Sequence, residues 1–154
     1  MNAFSLLCSL MLVLCTVPSP SLAIRFESSQ GVVKMNGKRL SIKGINWYGF
    51  NVADMGCVGG LNVKSIASHV SFLKSHGFNA LRIPITTSIL TDTPKYSIDF
   101  AQNPDLRGKS SIQILDALVR EAENQRVLVV FDLHSIPGSS ATSSFWYSSS
   151  FTES

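Results

Sequence analysis

Residues 127–134 read Val-Leu-Val-Val-Phe-Asp-Leu-His, and this stretch decides the fold of the chain. Its β-branched and apolar run predicts a β-strand, with the polar residues Asp132 and His134 at the carboxyl end. Side chains alternate between the two faces of a strand. One face therefore carries Leu128, Val130, Asp132 and His134, and the opposite face carries Val127, Val129, Phe131 and Leu133.

Two earlier stretches, residues 42–50 and 79–85, predict strands with the same division into faces. In the second strand Arg82 shares a face with small or cyclic residues, opposite a row of apolar side chains. In the first strand Asn46 lies opposite Ile45 and Trp47. Each strand therefore has one face suited to packing under a helix and one face that carries polar groups.

Helical patterns separate the three strands. The first begins with Asn62 as the predicted N-cap and stops at Gly77, and the second opens with a Ser110-x-x-Gln113 capping box. A long loop, residues 86–109, precedes the second helix, and loops of that length are usually functional or disordered. Alternating strands and helices predict parallel strands joined by right-handed crossovers.

A small hairpin is predicted ahead of these strands, with residues 32–35 and 39–42 joined through Asn36-Gly37. An open doubly wound sheet would bury apolar residues on both faces, whereas a small α/β barrel lines its top with polar groups. The predicted fold class is therefore α/β: a partial (β/α)8 TIM barrel, comprising about the first three strand-helix units with an N-terminal β-hairpin.

Residues 1–23 contain no charged side chain and include an apolar stretch over residues 6–17. Ser21 and Ala23 flank Leu22 in a small-residue pattern, which predicts a signal peptide cleaved after Ala23. The alternative is a membrane anchor, but the stretch is shorter than the ~20 residues that span a bilayer. We therefore expect a secreted, extracellular chain with residues 24–154 as its one domain and no membrane association after cleavage.

The net charge of +3 is spread over isolated Lys and Arg residues, a pattern that argues against a nucleic-acid partner. Cys57 is the only cysteine outside residues 1–23, which excludes an intramolecular disulfide in the mature chain. The three histidines are not spaced as a ligand set with Cys57. We therefore expect neither a metal ion nor an organic cofactor.

The polar strand residues allow two interpretations. Arg82 and Asp132 could form only a buried ion pair, and His134 could be a core histidine with its hydrogen bonds satisfied. The position of His134 at the end of a strand, ahead of a long loop, instead favours a functional role.

Three segments carry a resemblance to a known family: residues 43–50 (Lys-Gly-Ile-Asn-Trp-Tyr-Gly-Phe), 76–84 (His-Gly-Phe-Asn-Ala-Leu-Arg-Ile-Pro) and 131–134 (Phe-Asp-Leu-His). They resemble the first three barrel strands of glycoside hydrolase family 5, the cellulase family, and above all its secreted bacterial-type endo-β-1,4-glucanases. Residues 97–100, 103–108 and 145–150 support the match. The resemblance covers about residues 30–154.

The resemblance implies roles for four residues. Arg82 would hydrogen-bond and orient the nucleophilic carboxylate, a task suited to its fork of donors. His134 would contact a sugar hydroxyl beside the cleavage point. Trp146 and Tyr147 would offer aromatic faces for sugar stacking, or alternatively pack their loop onto the barrel rim. The implied partner is a β-linked polysaccharide or oligosaccharide, and Trp47 would pack outward under a helix.

The family's chemistry is retaining hydrolysis by two carboxyl groups about 5 to 5.5 Å apart. The resemblance places the acid in an Asn-Glu pair ending the fourth strand and the nucleophile on the seventh, whereas this sequence matches only the first three. Of its ten acidic residues, Asp132 alone ends a strand. We therefore expect the chain to lack both catalytic glutamates and to be inactive alone.

Two alternatives stay open: a carbohydrate-binding module without its catalysts, and a secreted interaction protein derived from the same barrel. The sequence also departs from the family pattern at two points. Asn62 follows Gly60-Leu61 where relatives often carry a tryptophan, and Cys57 has no cysteine partner in residues 135–154.

Overall fold

The computed structural model describes residues 24–52 and 54–135. They belong to two compact units, with the boundary between Ser41 and Ile42. The predicted signal peptide and the aromatic residues Trp146 and Tyr147 lie outside the described residues. Within the described ranges, no helix is both long enough and apolar enough to cross a membrane.

The first unit contains a three-stranded antiparallel sheet of β1 (Phe26–Ser29), β2 (Val32–Met35) and β3 (Lys38–Arg39), paired in that order. The predicted turn between β2 and β3 is confirmed, because Asn36 and Gly37 both have positive φ, 51° and 75°. The second strand of the hairpin, predicted over residues 39–42, is the shorter β3. Strand β1 was not predicted, because Phe-Glu-Ser-Ser has no apolar alternation. It joins β2 through Gln30-Gly31, which also has positive φ at both residues.

The second unit is built on three parallel strands, β4 (Gly44–Asn46), β5 (Ala80–Thr86) and β6 (Leu128–Ser135), in the order β4-β5-β6. Their register aligns Asn46 with Arg82 and Arg82 with Val130. Since aligned residues share a face, the predicted division of each strand into a polar and an apolar face is confirmed.

Strand β4 is shorter than the predicted strand over residues 42–50. The Trp47 N–H still donates to the Arg82 carbonyl at 3.0 Å, but the chain then turns at Gly49, whose φ is +142°. A Cβ at Gly49 would lie 2.1 Å from the Cys57 carbonyl oxygen. Glycine therefore lets the strand end early and fold closely against the loop that follows.

Two helices cross between the strands: α1 (Ile66–Ser75) and α2 (Ser111–Asn124). The predicted N-cap of α1, Asn62, is wrong. The N–H groups of Val63 and Lys64 donate to the Gly60 carbonyl in a turn, and Ser65 caps the helix by accepting from the Ser68 N–H at 3.1 Å.

The other predicted helix boundaries are confirmed. Gly77, with φ +77°, follows the C-cap of α1. At the start of α2, Gln113 Oε1 accepts from the Ser110 N–H at 3.0 Å. The structure thus has three parallel strands and two intervening helices in the second unit, and β6 is its last described element.

The core of the second unit lies on the apolar face of the parallel strands. Leu81 and Ile83 of β5 are fully buried, together with apolar residues of α1, α2 and both connecting loops. Full burial of such a side chain contributes about 1.5–3 kcal/mol each. The long loop after β5 is part of this core: it contains 3₁₀ turns at Thr87–Leu90 and Pro104–Leu106, and buries Ile89 and Leu106.

Candidate active site

Four polar side chains converge on the face of the parallel sheet opposite the core. Asn46 ends β4, Arg82 lies on the middle strand β5, and Asp132 and His134 lie near the end of β6. In parallel barrels the carboxyl ends of the strands build the active site. The strand alternation that places the apolar residues under the helices therefore also brings these four groups together.

Arg82 is the centre of this group. Its Nη2 donates to Asp132 Oδ2 at 2.5 Å and its Nη1 to Asn46 Oδ1 at 3.3 Å. The guanidinium is therefore held from both neighbouring strands. The side chains of Arg82 and Asp132 remain 40% and 29% exposed. The ion pair of the alternative interpretation therefore forms, but it is not fully buried.

His134 joins the same pair. Its Nδ1 lies 2.8 Å from Asp132 Oδ2 and 3.5 Å from Arg82 Nη2, and 41% of its side chain is exposed. It is therefore not a core histidine. The two predicted residues, Arg82 and His134, meet through Asp132, which links them although it was not among the predicted site residues.

Trp47 follows Asn46 in the chain but lies on the opposite face of the sheet, against α1. The half-buried Trp47 ring lies 5.1 Å from the ring of His69 on α1, and its Nε1 donates to the Gly59 carbonyl at 2.9 Å. His69 Nε2 lies 3.1 Å from the Gly60 carbonyl. Trp47 thus packs outward under a helix as predicted, and it anchors the loop between β4 and α1.

Asn103 supports the same loop from the long loop after β5, and sequence reasoning did not single it out. Its Oδ1 accepts from the Ile66 N–H at 3.2 Å, and its Nδ2 lies within hydrogen-bond distance of the carbonyls of Leu61, Lys64 and Asp99. Only 2% of Asn103 is exposed. The Asn-Pro pair that it forms with Pro104 was the one sequence signal, and it indicates a turn without naming the partners.

Cys57 lies in the loop between β4 and α1 as a buried free thiol. Burial raises its pKa from 9.0 to about 11, because the apolar surroundings disfavour the thiolate. A thiol that stays protonated is a poor nucleophile at neutral pH. In the part of the chain that the structure describes, no three His, Cys, Asp or Glu side chains come together as a metal site.

Asp132 is the only carboxylate on β4, β5 and β6. Parallel α/β strands that bring a partly exposed arginine, carboxylate and histidine together on one face, with the carboxylate and the histidine toward the carboxyl end of their strand, are typical of the active-site side of an α/β-barrel enzyme. This class agrees with the comparisons to known proteins. Residues 33–153 match the cellulase family, glycosyl hydrolase family 5, and the chain belongs to that family.

The chain is similar to curated endoglucanases along most of its length. It is 32% identical over 141 residues to the major extracellular endoglucanase of Xanthomonas campestris pv. campestris, covering 91% of this chain and 29% of the relative. It is 32% identical over 124 residues to an endoglucanase of Paenibacillus polymyxa, covering 80% of this chain and 31% of that protein. The chain therefore spans about a third of the length of these relatives.

Solved structures agree with the sequence matches. A hyperthermophilic endocellulase from the archaeon Pyrococcus horikoshii superposes with a TM-score of 0.76 at 31% identity, covering 84% of this chain and 36% of that one. A complex of the endocellulase from the same organism with cellotetraose superposes with a TM-score of 0.73 at 29% identity. The partial TIM-barrel fold predicted from the sequence is thus confirmed, and the described sheet is not a closed barrel.

Proposed function

We propose that the chain supplies the first three strands of the catalytic barrel of a retaining glycoside hydrolase that cleaves β-1,4-glucan. The observation that carries this proposal is the network in which Arg82, the third residue of β5, meets Asp132 and His134 in the carboxyl-terminal half of β6. Family membership and the cellotetraose complex of the Pyrococcus endocellulase support the substrate class.

Arg82 is proposed to orient the nucleophilic carboxylate. Asn46 and Asp132 accept from two different nitrogens of its guanidinium, which fixes the plane of the fork. An arginine cannot lose its proton in a protein, so it offers a permanent positive charge to a carboxylate or to developing negative charge. Its 40% exposed side chain leaves room for such a partner.

His134 is proposed to bind a sugar hydroxyl beside the cleavage point. It lies two residues beyond Asp132 on the same face and is 41% exposed. Trp146 and Tyr147 are proposed to stack on sugar rings, since their position soon after β6 follows the family pattern. Residues 1–23 are proposed to be a secretory signal, in keeping with the word extracellular in the name of the Xanthomonas relative.

The two catalytic carboxyl groups are proposed to belong to later strands of the complete barrel. Retaining hydrolysis needs two such groups about 5 to 5.5 Å apart. Asp132 is the single carboxylate on the three parallel strands, and its Oδ2 is already bound by Arg82 and His134. We therefore expect no hydrolysis by the chain alone.

A hybrid barrel tests this proposal. Residues 33–153 replace the matching segment of the Paenibacillus polymyxa endoglucanase, whose remaining sequence supplies the later strands. The hybrid should release reducing ends from carboxymethyl cellulose, and the chain alone should not. Arg82→Ala in the hybrid should lower kcat by about 10²–10³, the usual cost of removing one preorganised electrostatic donor.

Arg120→Ala is the matched control, because Arg120 is an exposed arginine on α2 and lies on none of the three strands that carry the site residues. It should leave activity unchanged. A folded hybrid without activity, or an Arg82→Ala hybrid as active as the parent, would contradict the proposal. Glucan hydrolysis by the chain alone would contradict the placement of the catalytic carboxylates.

The second candidate is a non-catalytic carbohydrate-binding or interaction protein. The presence of one carboxylate on the three parallel strands favours it, because sugar binding needs no carboxylate pair. Under this reading the chain alone should bind cellotetraose in a calorimetric titration, and the Trp146→Ala variant should bind more weakly. Absence of binding by the chain together with an active hybrid leaves the catalytic-barrel proposal as the better account.

A further inference from the structure

We propose that Asp132 is a positioning residue that fixes the tautomer of His134, so that Nε2 presents a lone pair to the sugar hydroxyl. This inference rests on the proposed function for the identity of the ligand. The tautomer itself is a property of the chain and can be measured without any glucan.

The distances assign the proton on Nδ1. Asp132 Oδ2 accepts hydrogen bonds and cannot donate one when ionised, and it lies 2.8 Å from Nδ1 of His134. Arg82 Nη2 is only a donor and lies at 3.5 Å, the outer limit of a hydrogen bond. A proton on Nδ1 satisfies the short contact with the carboxylate. A lone pair there would face the carboxylate oxygen at 2.8 Å and gain only the long contact.

A proton on Nδ1 has a direct consequence for the other ring nitrogen. In a neutral imidazole one nitrogen donates and the other accepts, and the hydrogen bond of the first sets the role of the second. Nε2 of His134 is therefore the acceptor. A sugar hydroxyl bound there donates its hydrogen, and its oxygen lone pairs stay available to a second donor.

Asp132 can hold the histidine because it is itself held. Arg82 Nη2 donates to the same oxygen, Oδ2, at 2.5 Å, and Arg82 is fixed in turn by Asn46 on the far strand. The residue aligned with Asp132 on β5 is Pro84, which is buried and offers neither a side-chain nor a backbone donor. Arg82 and His134 thus both donate to Oδ2 of this carboxylate, and together they fix its orientation.

Nitrogen-15 NMR of the full chain with labelled histidine tests the tautomer. The His134 signals are identified by their loss in His134→Gln and recorded at about pH 9, above the ordinary histidine pKa range. The parent should carry its proton on Nδ1. Asp132→Leu should move the proton to Nε2, whereas Asp132→Asn, which keeps an oxygen acceptor, should retain it on Nδ1. Asp116→Asn, at an exposed carboxylate on α2, should change nothing.

A parent proton on Nε2, or an unchanged tautomer in Asp132→Leu, overturns the proposal. If the spectrum of the chain alone is not dispersed, the same signals are read in the hybrid barrel. There, Asp132→Leu should lower kcat/KM by about 10- to 100-fold, the range for residues that orient a histidine through its second nitrogen. Asp132→Asn should recover most of that loss, and the recovery should coincide with the proton on Nδ1, a spectroscopic signature that a purely packing role would not move.

The two proposals can fail separately. A proton on Nδ1 in a hybrid that folds but does not hydrolyse glucan supports the positioning role and contradicts the proposed function. An active hybrid whose His134 carries its proton on Nε2 supports the function and contradicts the positioning role.

Discussion

Replacing Asn103 by alanine should destabilise the second unit by about 3 kcal/mol, although Asn103 lies on neither a helix nor a strand. The side chain is 2% exposed and joins two loops. Its Oδ1 accepts from the Ile66 N–H, the first N–H of α1, and its Nδ2 contacts three backbone carbonyls. The substitution removes all four contacts at once.

The size of this loss in unfolding free energy depends on which hydrogen bonds the partners of Asn103 keep. Ile66 is 6% exposed, and its N–H loses its partner, which costs about 1–3 kcal/mol for a buried donor. The carbonyls of Leu61 and Asp99 keep backbone donors, the N–H groups of Asp99 and Asn103 at 2.9 Å. Losing the Asn103 Nδ2 contact should therefore cost only about 0.5 kcal/mol at each of these two carbonyls, and a similar amount at the Lys64 carbonyl.

Urea unfolding, followed by tryptophan fluorescence in the chain and in the hybrid barrel, measures the effect. Asn62→Ala is the control, because Asn62 is an exposed amide whose Oδ1 accepts from the Tyr96 hydroxyl at 3.1 Å. It should cost less than about 0.5–1 kcal/mol. Asn103→Asp should be no better than alanine, since it sets a carboxylate against three carbonyl oxygens. An Asn103→Ala variant within about 0.5 kcal/mol of the parent would refute the reasoning.

Three further changes have defined outcomes. Gly49→Ala should cost about 3 kcal/mol or more in urea unfolding, because the new Cβ would lie 2.1 Å from a carbonyl oxygen at a residue with positive φ. Gly108→Ala is the control: Gly108 also has positive φ but lies in open space, so the change should cost only about 1–2 kcal/mol. Equal costs for the two variants would contradict this reasoning. Trp47→Phe should lose about 1–2 kcal/mol by leaving the Gly59 carbonyl without its donor, and unchanged stability would contradict it. In residues 24–154 Cys57 should resist a thiol reagent at pH 8 until urea is added, and full labelling of the native chain would contradict this. Because burial raises the pKa of Cys57 to about 11, its contribution to stability is complete below pH 9 and falls as the pH rises toward 11. Urea unfolding of the parent and of Cys57→Ala at pH 8 and pH 10.5 measures this, and an equal difference at both pH values would contradict it.

Much of the fold could be predicted because strong local patterns set it. The β-branched run of residues 127–134 specifies a strand, and the two-residue repeat within each strand then separates its polar side chains from its apolar ones without any knowledge of tertiary structure. Asn36-Gly37 specifies its own turn by tolerating positive φ at both residues. In each case neighbours along the chain contain the whole physical cause.

The features that sequence reasoning missed depend on distant partners. Asn62 is as good an N-cap as Ser65 in isolation, and the choice between them is made by the Gly60 carbonyl and by Asn103. The long loop after β5 is ordered because Ile89 and Leu106 enter the core beside α2, which no pattern inside the loop indicates. The link that Asp132 forms between Arg82 and His134 likewise requires the register of two strands and the rotamers of three side chains.

Strand β6 has a consequence for solubility as well as for the site. Within the described residues it pairs with β5 alone, and Phe131 and Leu133 are 50% and 56% exposed. Residues 127–131 form an uncharged β-branched and aromatic run, a composition that promotes cross-β aggregation, and Arg126 and Asp132 flank it as charged gatekeepers. The charge of Asp132 thus also limits aggregation through this segment. Asp132→Asn should therefore raise light scattering in dilute solution, even though His134 keeps its tautomer in that variant.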